Sequence, residues 1–276
     1  MEGKKVMKKV LFLTVLLTLL LAGSALAAPL ADYSKAGNFG ISIFAQRTDM
    51  EDDRTVEGGD PDSLGAYNRK FDYGAKWSWG GEMTVSFAKG WALSFDYLDS
   101  KNKETLYNPV TTIFQFGMYS RLKSHNIKLK YQAYKSDKLF IAPYLGVALN
   151  KLQQNNMVYL SGADATLFSM ETERKTSVLA GLTLVYGLDK NNRLKTYFDG
   201  AIGNKVYSWN LGLAYGVSKN LDLDFGYRYH KAKLRYDYPD TQTISSGGTP
   251  GTFFADHGKI DSTSKGIYFG LSYKFN

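Results

Sequence analysis

The chain has 276 residues, no cysteine, a formal net charge of +8, and 20 tyrosines and 16 phenylalanines. Without cysteine there is no disulfide framework, thiol nucleophile or lipoprotein attachment thiol. The basic residues are dispersed instead of clustered with aromatics on one face, so a nucleic-acid partner is excluded as well.

The N-terminal 27 residues combine a basic start (Lys4, Lys5, Lys8, Lys9), a Leu-dominated apolar run from Val10 to Gly23 and a small-residue end at Ala25-Leu26-Ala27. That is the three-part pattern of a secretory signal peptide, and cleavage is expected after Ala27. The remainder, 28–276, contains no Pro-rich or Ser-rich linker and reads as one β domain.

In chain order, apolar/polar alternation and turn residues predict strands at 38–46, 72–87, 91–100, 113–134, 139–151, 173–188, 194–203, 206–218, 220–236 and 264–275. The count is about ten, with eight or twelve as the alternatives. Tight links at 88–90, 135–138, 189–193 and 218–220 alternate with long polar ones at 47–71, 101–112, 152–172 and 237–263; the link near Lys205 is very short. Within 113–134 the apolar parity shifts between Phe114/Phe116/Met118 and Ile127/Leu129/Tyr131, which predicts a bulge or a turn near 123–126. Pro143 falls mid-strand and predicts a bulge or a missing ladder donor.

The segment Tyr207–Ser218 shows the pattern most plainly. Tyr207, Trp209, Leu211, Leu213, Tyr215 and Val217 share one face, while Ser208, Asn210, Gly212, Ala214 and Gly216 share the other. A soluble sandwich also alternates, but the small or charged opposite face and the export signal favour a barrel with lipid outside and a polar interior. Aromatics of the apolar face gather near the tight turns, at Phe87, Trp91, Tyr131, Tyr186, Tyr215, Tyr273 and Phe275, where interfacial rings belong. The expected fold is all-β: a transmembrane, antiparallel, up-and-down β-barrel.

The segments Leu221–Tyr236 and Gly266–Phe275 resemble the last hairpin of small outer-membrane β-barrel proteins, the porin-like and opacity-type class. The resemblance extends in style over nearly the whole chain after the signal. It implies residence in the outer membrane of a Gram-negative-type cell envelope, with outer-membrane lipid and the barrel-assembly machinery as partners. Small solutes or extracellular ligands are further partners it allows. Such barrels commonly end in an aromatic residue; here Phe275 is penultimate and Asn276 is last.

Extending the strand parity predicts interior charges at Lys76, Glu82, Asp96, Lys128, Lys130, Asp199, Asp222, Asp224, Arg228 and Lys274, together with His230. Five basic residues against five acids read as an internal ion-pair network, because buried charge is costly unless paired. A barrel of eight to ten strands encloses little beyond its own side chains, which excludes a wide channel. The three histidines, His125, His230 and His257, lack the paired-carboxylate and Asp-x-His pattern of omptin proteases, so no catalytic residue is assigned. Thr48–Asp62 carries seven acids, but its spacing matches no EF-hand. No metal and no cofactor are expected. The expected function is non-enzymatic: porin-like passage of small solutes or a structural role in the outer membrane. The alternatives are surface recognition through long extracellular loops and, less favoured, a barrel hydrolase with His230 as base.

Overall fold

A computed structural model describes residues 33–58, 68–107, 114–160, 166–171, 175–237, 242–246, 249–253 and 257–275. The expected signal peptide and its cleavage site lie outside the described residues. Ten long strands succeed one another: β1 (Phe39–Gly58), β2 (Asn68–Ala88), β3 (Trp91–Tyr107), β4 (Phe114–Tyr131), β5 (Leu139–Leu160), β6 (Lys175–Gly187), β7 (Leu194–Gly203), β8 (Val206–Gly216), β9 (Leu221–Asp237) and β10 (His257–Phe275). Each pairs antiparallel with the next in sequence, and β10 returns to β1 with Phe39 opposite Phe275. Every strand of the wall therefore has two neighbours, and closure removes the sheet edges that lipid could not solvate.

Four shorter pieces complete the described chain. Thr166–Glu171 pairs with the far end of β5, Tyr134–Lys135 with its near end, and Gln242–Ser246 with Thr249–Phe253 forms a separate hairpin. At one end of the barrel the links are tight. Gly90 takes φ +80° in the β2–β3 turn and Asn192 takes φ +54° between β6 and β7, a region open to glycine and tolerated by asparagine.

The predicted loops are shorter than the sequence suggests, because the strands run on past the alternating segments. β1 continues to Gly58, β3 to Tyr107, β5 to Leu160, and β10 begins at His257. Most of the acidic stretch read as a loop is thus strand, its acids divided between the two faces; residues 59–62 lie outside the described residues. The backbone ladder persists there without strict alternation, so the periodicity signal ends before the strand does.

The parity shift in β4 involves neither bulge nor turn. Its register is continuous with β3 from Trp91↔Tyr131 to Tyr107↔Gln115 and with β5 from Lys130↔Tyr144 to Phe114↔Leu160. What changes is the environment. Ile127, Leu129 and Tyr131 point out of the barrel and are exposed, while Leu122 points in and is fully buried. Pro143 sits in register opposite Leu182, and the irregularity falls on its other side. There the ladder slips by one residue between Lys130↔Tyr144 and Tyr134↔Ile141, so the neighbouring chain steps around the missing donor.

Candidate functional site

Chain-long alternation gives the barrel two surfaces of opposite character. On the outside, Trp77, Trp79, Leu145, Val178, Ile202, Leu211, Leu213 and Phe269 stand exposed, Trp79 at 66% and Val178 at 67%. On the inside lie Ser78, Thr84, Ser86, Ser94, Thr183, Lys128, Lys130, Asp222 and Asp224, all buried. A protein dissolved in water would reverse this arrangement. The chain is a membrane-spanning β-barrel.

Farther along the strands the two faces exchange roles. Met50, Leu122, Leu152, Leu234 and Ile260 form an interior apolar cluster, each at most 3% exposed. The residues pointing outward at the same level include Glu51, Arg121, Lys123, Lys151, Lys233 and Lys259. The apolar band on the outside ends where the apolar cluster on the inside begins, as expected of a barrel emerging from hydrocarbon into water.

Between that cluster and the tight-turn end lies the charged interior. Asp199 of β7 is its hub: Oδ1 accepts from Lys128 Nζ at 3.0 Å and from the Tyr144 hydroxyl at 2.9 Å, and Oδ2 accepts from Thr183 Oγ1 at 2.6 Å. Lys128 Nζ also lies 2.7 Å from Asp96 Oδ2, while Lys130 Nζ bonds Glu82 Oε1 at 2.7 Å and stands 3.7 Å from Asp199 Oδ2. Two cations and three acids are thus interleaved across β2, β3, β4 and β7. Each buried charge has opposite-sign neighbours, the condition under which such groups can leave bulk water.

Of the residues placed inside from sequence, Glu82, Asp96, Lys128, Lys130 and Asp199 are brought together in this cluster. Asp222 belongs to a second pair, with Lys195 Nζ at 2.9 Å from its Oδ2. Asp224 accepts from Ser272 Oγ. Arg228 lays its guanidinium 3.9 Å from the centroid of the Phe44 ring, and His230 Nε2 meets Asn150 Oδ1 at 3.2 Å. Lys274 is buried near the tight-turn end, whereas Lys76 is exposed and takes no part in the cluster. Among the tight-turn aromatics, Phe87, Trp91, Tyr131, Tyr186, Tyr215 and Phe275 are exposed on the outer face and Tyr273 is half-buried, packed edge-on to Phe275 at 4.7 Å.

Sequence reasoning missed Lys195, although it shares the parity of Asp199 two pleats away. It also missed the interior aromatics Phe44, Tyr144, Tyr197 and Tyr268, each at most 6% exposed. Tyr197 and Tyr268 hydrogen-bond to each other through their hydroxyls. Their rings lie over Gly212, where a Cβ would come within 2.7 Å of both hydroxyl oxygens. The available signal was the glycine: Gly212 is register partner to Tyr197, and Gly226 to Tyr268, so a residue with no side chain on the inner face leaves room for a ring from the adjacent strand.

The tight-turn end is closed by the chain itself. Tyr33, ahead of β1, is fully buried, its ring edge-on to Phe140 at 5.2 Å. Its carbonyl accepts from Gly90 N at 2.6 Å, and its amide donates to Gln132 Oε1 at 3.0 Å. At the other end β7 and β8 stop early, at the turn around Lys205. Side chains of β5 and β9 meet there, through His230, opposite Ser208 of β8, with Asn150, and beyond the turn through Leu152 and Leu234. Among the described residues a cavity of about 70 Å³ lies between these ends, lined by groups that include Asp96, Asp199, Asn210, Asp224, Arg228 and His230. At ~10–15 Å³ per water it holds about five waters.

His125 points outward, its ring 5.0 Å from that of Tyr97. The His257 backbone begins β10, opposite Asp237. His125 is not among the residues lining the cavity.

No protein-family model matches the chain, and no curated protein matches it in sequence. Among solved structures, the outer membrane protease OmpT from Escherichia coli is 9% identical over 91% of this chain and 99% of its own, with a TM-score of 0.49. Neisserial surface protein A is 18% identical over 87% of this chain and 99% of its own, with a TM-score of 0.32. OprG from Pseudomonas aeruginosa is 15% identical over 88% and 97%, with a TM-score of 0.34. All three are outer-membrane barrels, and no residue role is carried over from any of them.

Proposed function

We propose that the protein resides in the outer membrane as a sealed, non-enzymatic barrel whose role is structural. One observation carries this reading: among the described residues, the Tyr33 segment, the charged cluster and the Met50/Leu122/Leu152 layer occupy successive levels of the interior, with a cavity of about 70 Å³ between them. Passage of a solute would have to displace the Tyr33 segment at one end, the interleaved Lys128–Asp199 cluster in the middle and the Met50/Leu122/Leu152 layer at the other. Each is held by packing or paired charge.

The hydrolase alternative finds no support in the arrangement around His230. Its described partner is the amide of Asn150; a general base needs a carboxylate or similar group to orient it and a nucleophile within reach. Surface recognition gains nothing from the extension of the predicted loops into paired strands.

Planar-bilayer recording tests the reading. The purified barrel inserted into phosphatidylcholine bilayers is expected to give no single-channel steps. Resolved, repeatable steps would replace the structural role with solute passage.

A further inference from the structure

The tight-turn end carries unbalanced surface charge. Lys89 stands in the β2–β3 turn, Lys135 and Lys138 in the β4–β5 link, Lys190 and Arg193 in the β6–β7 turn and Lys219 in the β8–β9 turn, all exposed. Lys35, exposed as well, follows the buried Tyr33 on the segment that closes the mouth. Two acids accompany these seven cations in the described turns, Asp137 and Asp189, and Asp189 Oδ1 already accepts from Leu194 N at 3.0 Å. Among the described residues, Lys89, Lys138, Lys190, Arg193 and Lys219 form no side-chain ion pair.

The turns that carry these cations hold one another in place. Gly90 O accepts from Gln132 N at 2.8 Å, Lys138 O from Gly187 N at 2.8 Å, Asp137 O from Asn192 Nδ2 at 2.7 Å and Arg193 O from Gly216 N at 2.7 Å. This belt runs in series from the β2–β3 turn to the end of β8, and the Tyr33 carbonyl joins it through Gly90 N at 2.6 Å. The cations therefore stand on a fixed frame, and a partner has only their side chains to order. Ten strands spaced ~4.8 Å apart and tilted by ~40° make a mouth about 20 Å across, with neighbouring turns about 12 Å from each other. That spacing is little more than the screening length of ~8 Å, so the fields of adjacent turns overlap.

We infer that the tight-turn end docks onto an acidic polymer, the carboxylate-bearing peptide chains of the cell wall. The short turns of outer-membrane barrels face the periplasm, where that polymer lies. Repeated carboxylates on an extended network match cations spread over several turns, and turn-tip side chains reach them without a pocket. A lipid leaflet fits this arrangement less well. Lipid surrounds the flank of the barrel, whereas these cations come after the girdle rings along the chain, Lys89 after Phe87, Lys190 after Tyr186 and Lys219 after Tyr215, and Lys35 belongs to the segment across the mouth. The inference rests on the outer-membrane placement proposed above and gives the structural role a partner: the barrel tethers the membrane to the wall.

Co-sedimentation of the folded barrel, held in phosphatidylcholine nanodiscs, with purified peptidoglycan sacculi tests the tether. The parent is expected to pellet with sacculi in low salt and to be released near 1 M salt, where the screening length falls to ~3 Å. The variant Lys89→Gln/Lys190→Gln/Lys219→Gln should bind about a hundred-fold more weakly, each cation close to an anionic surface contributing about a five-fold factor. Lys89→Arg/Lys190→Arg/Lys219→Arg, which keeps the charge, and Lys205→Gln/Lys233→Gln, at the far end of the barrel, should both bind as the parent does. Sacculi whose carboxylates have been amidated should fail to retain the parent. Equal binding by the glutamine variant, equal binding to amidated sacculi, or binding indifferent to salt would each overturn the proposal. A parent that ignores sacculi but retains phosphatidylglycerol through purification, with the glutamine variant losing it, would assign the cations to lipid instead. The reading beneath fails separately: channel steps with sacculus binding intact would overturn the sealed barrel and leave the tether, whereas a silent barrel that ignores sacculi would overturn the tether alone.

Discussion

Replacing Asp199 with leucine is expected to lower the unfolding free energy of the barrel by about 3–5 kcal/mol, the usual cost of removing one partner from a buried charge network. The loss is large because Asp199 accepts from three donors at once. Without it, Lys128 and Lys130 must share Asp96 and Glu82, and the hydroxyls of Tyr144 and Thr183 lose their acceptor. Urea titration followed by tryptophan emission, with the protein folded in phosphatidylcholine vesicles, measures the change. The double replacement Lys128→Met/Asp199→Leu should recover part of the loss, because it removes the stranded cation together with its partner. A single variant as stable as the parent would mean that the lumen is wet enough to solvate its charges, and the sealed interior would then be wrong.

The second large effect lies on the other face. Leu211, midway along β8 between Tyr207 and Tyr215, is 51% exposed on the outer surface. Substituting arginine there places a cation near the middle of the hydrocarbon, at an expected cost of about 2–4 kcal/mol. The same substitution at Tyr207, on the same face but at the far end of the strand, should cost about 0–1 kcal/mol. The depth dependence is the informative part. A soluble surface would tolerate arginine equally at both positions, and a packed protein core would reject it at both.

The barrel itself was legible in the sequence because each strand inside the apolar band keeps bulky residues on one parity and small or charged ones on the other. β8 and β9 are readable to within two residues of their observed ends for this reason. The reading failed where the surroundings changed. Beyond the band, outside and inside exchange character, so the parity of β4 shifts at Leu122 with no break in its ladder, and a bulge was the natural but mistaken inference.

The interior charges followed from the same parity, and so would Lys195 have done. Lys76 shows the limit of that rule: correct parity on β2 does not bury a residue near a bulge, here marked by Gly74 at φ +62° and by the slip between Asp49 and Glu51 in the pairing with β1. What alternation did not supply was the packing of large rings on the small-residue face. Phe44, Tyr144, Tyr197 and Tyr268 are rings of the kind expected to face lipid, and they turn inward over the glycines that are their register partners on adjacent strands, Gly80, Gly181, Gly212 and Gly226. Likewise, the burial of Tyr33 depends on Gly90 and Gln132, residues 57 and 99 positions away.

Because the chain has no native cysteine, spin labels can be attached singly along β8 in the intact protein. Labels at Leu211, Leu213 and Tyr215 of the barrel in phosphatidylcholine vesicles should collide readily with dissolved oxygen, while those at Ser208, Asn210 and Ala214 should be shielded from it. Two-residue alternation of oxygen accessibility is the predicted result. A flat profile, or shielding of the bulky positions in a protein that stays monomeric in plain buffer, would contradict the account at its base.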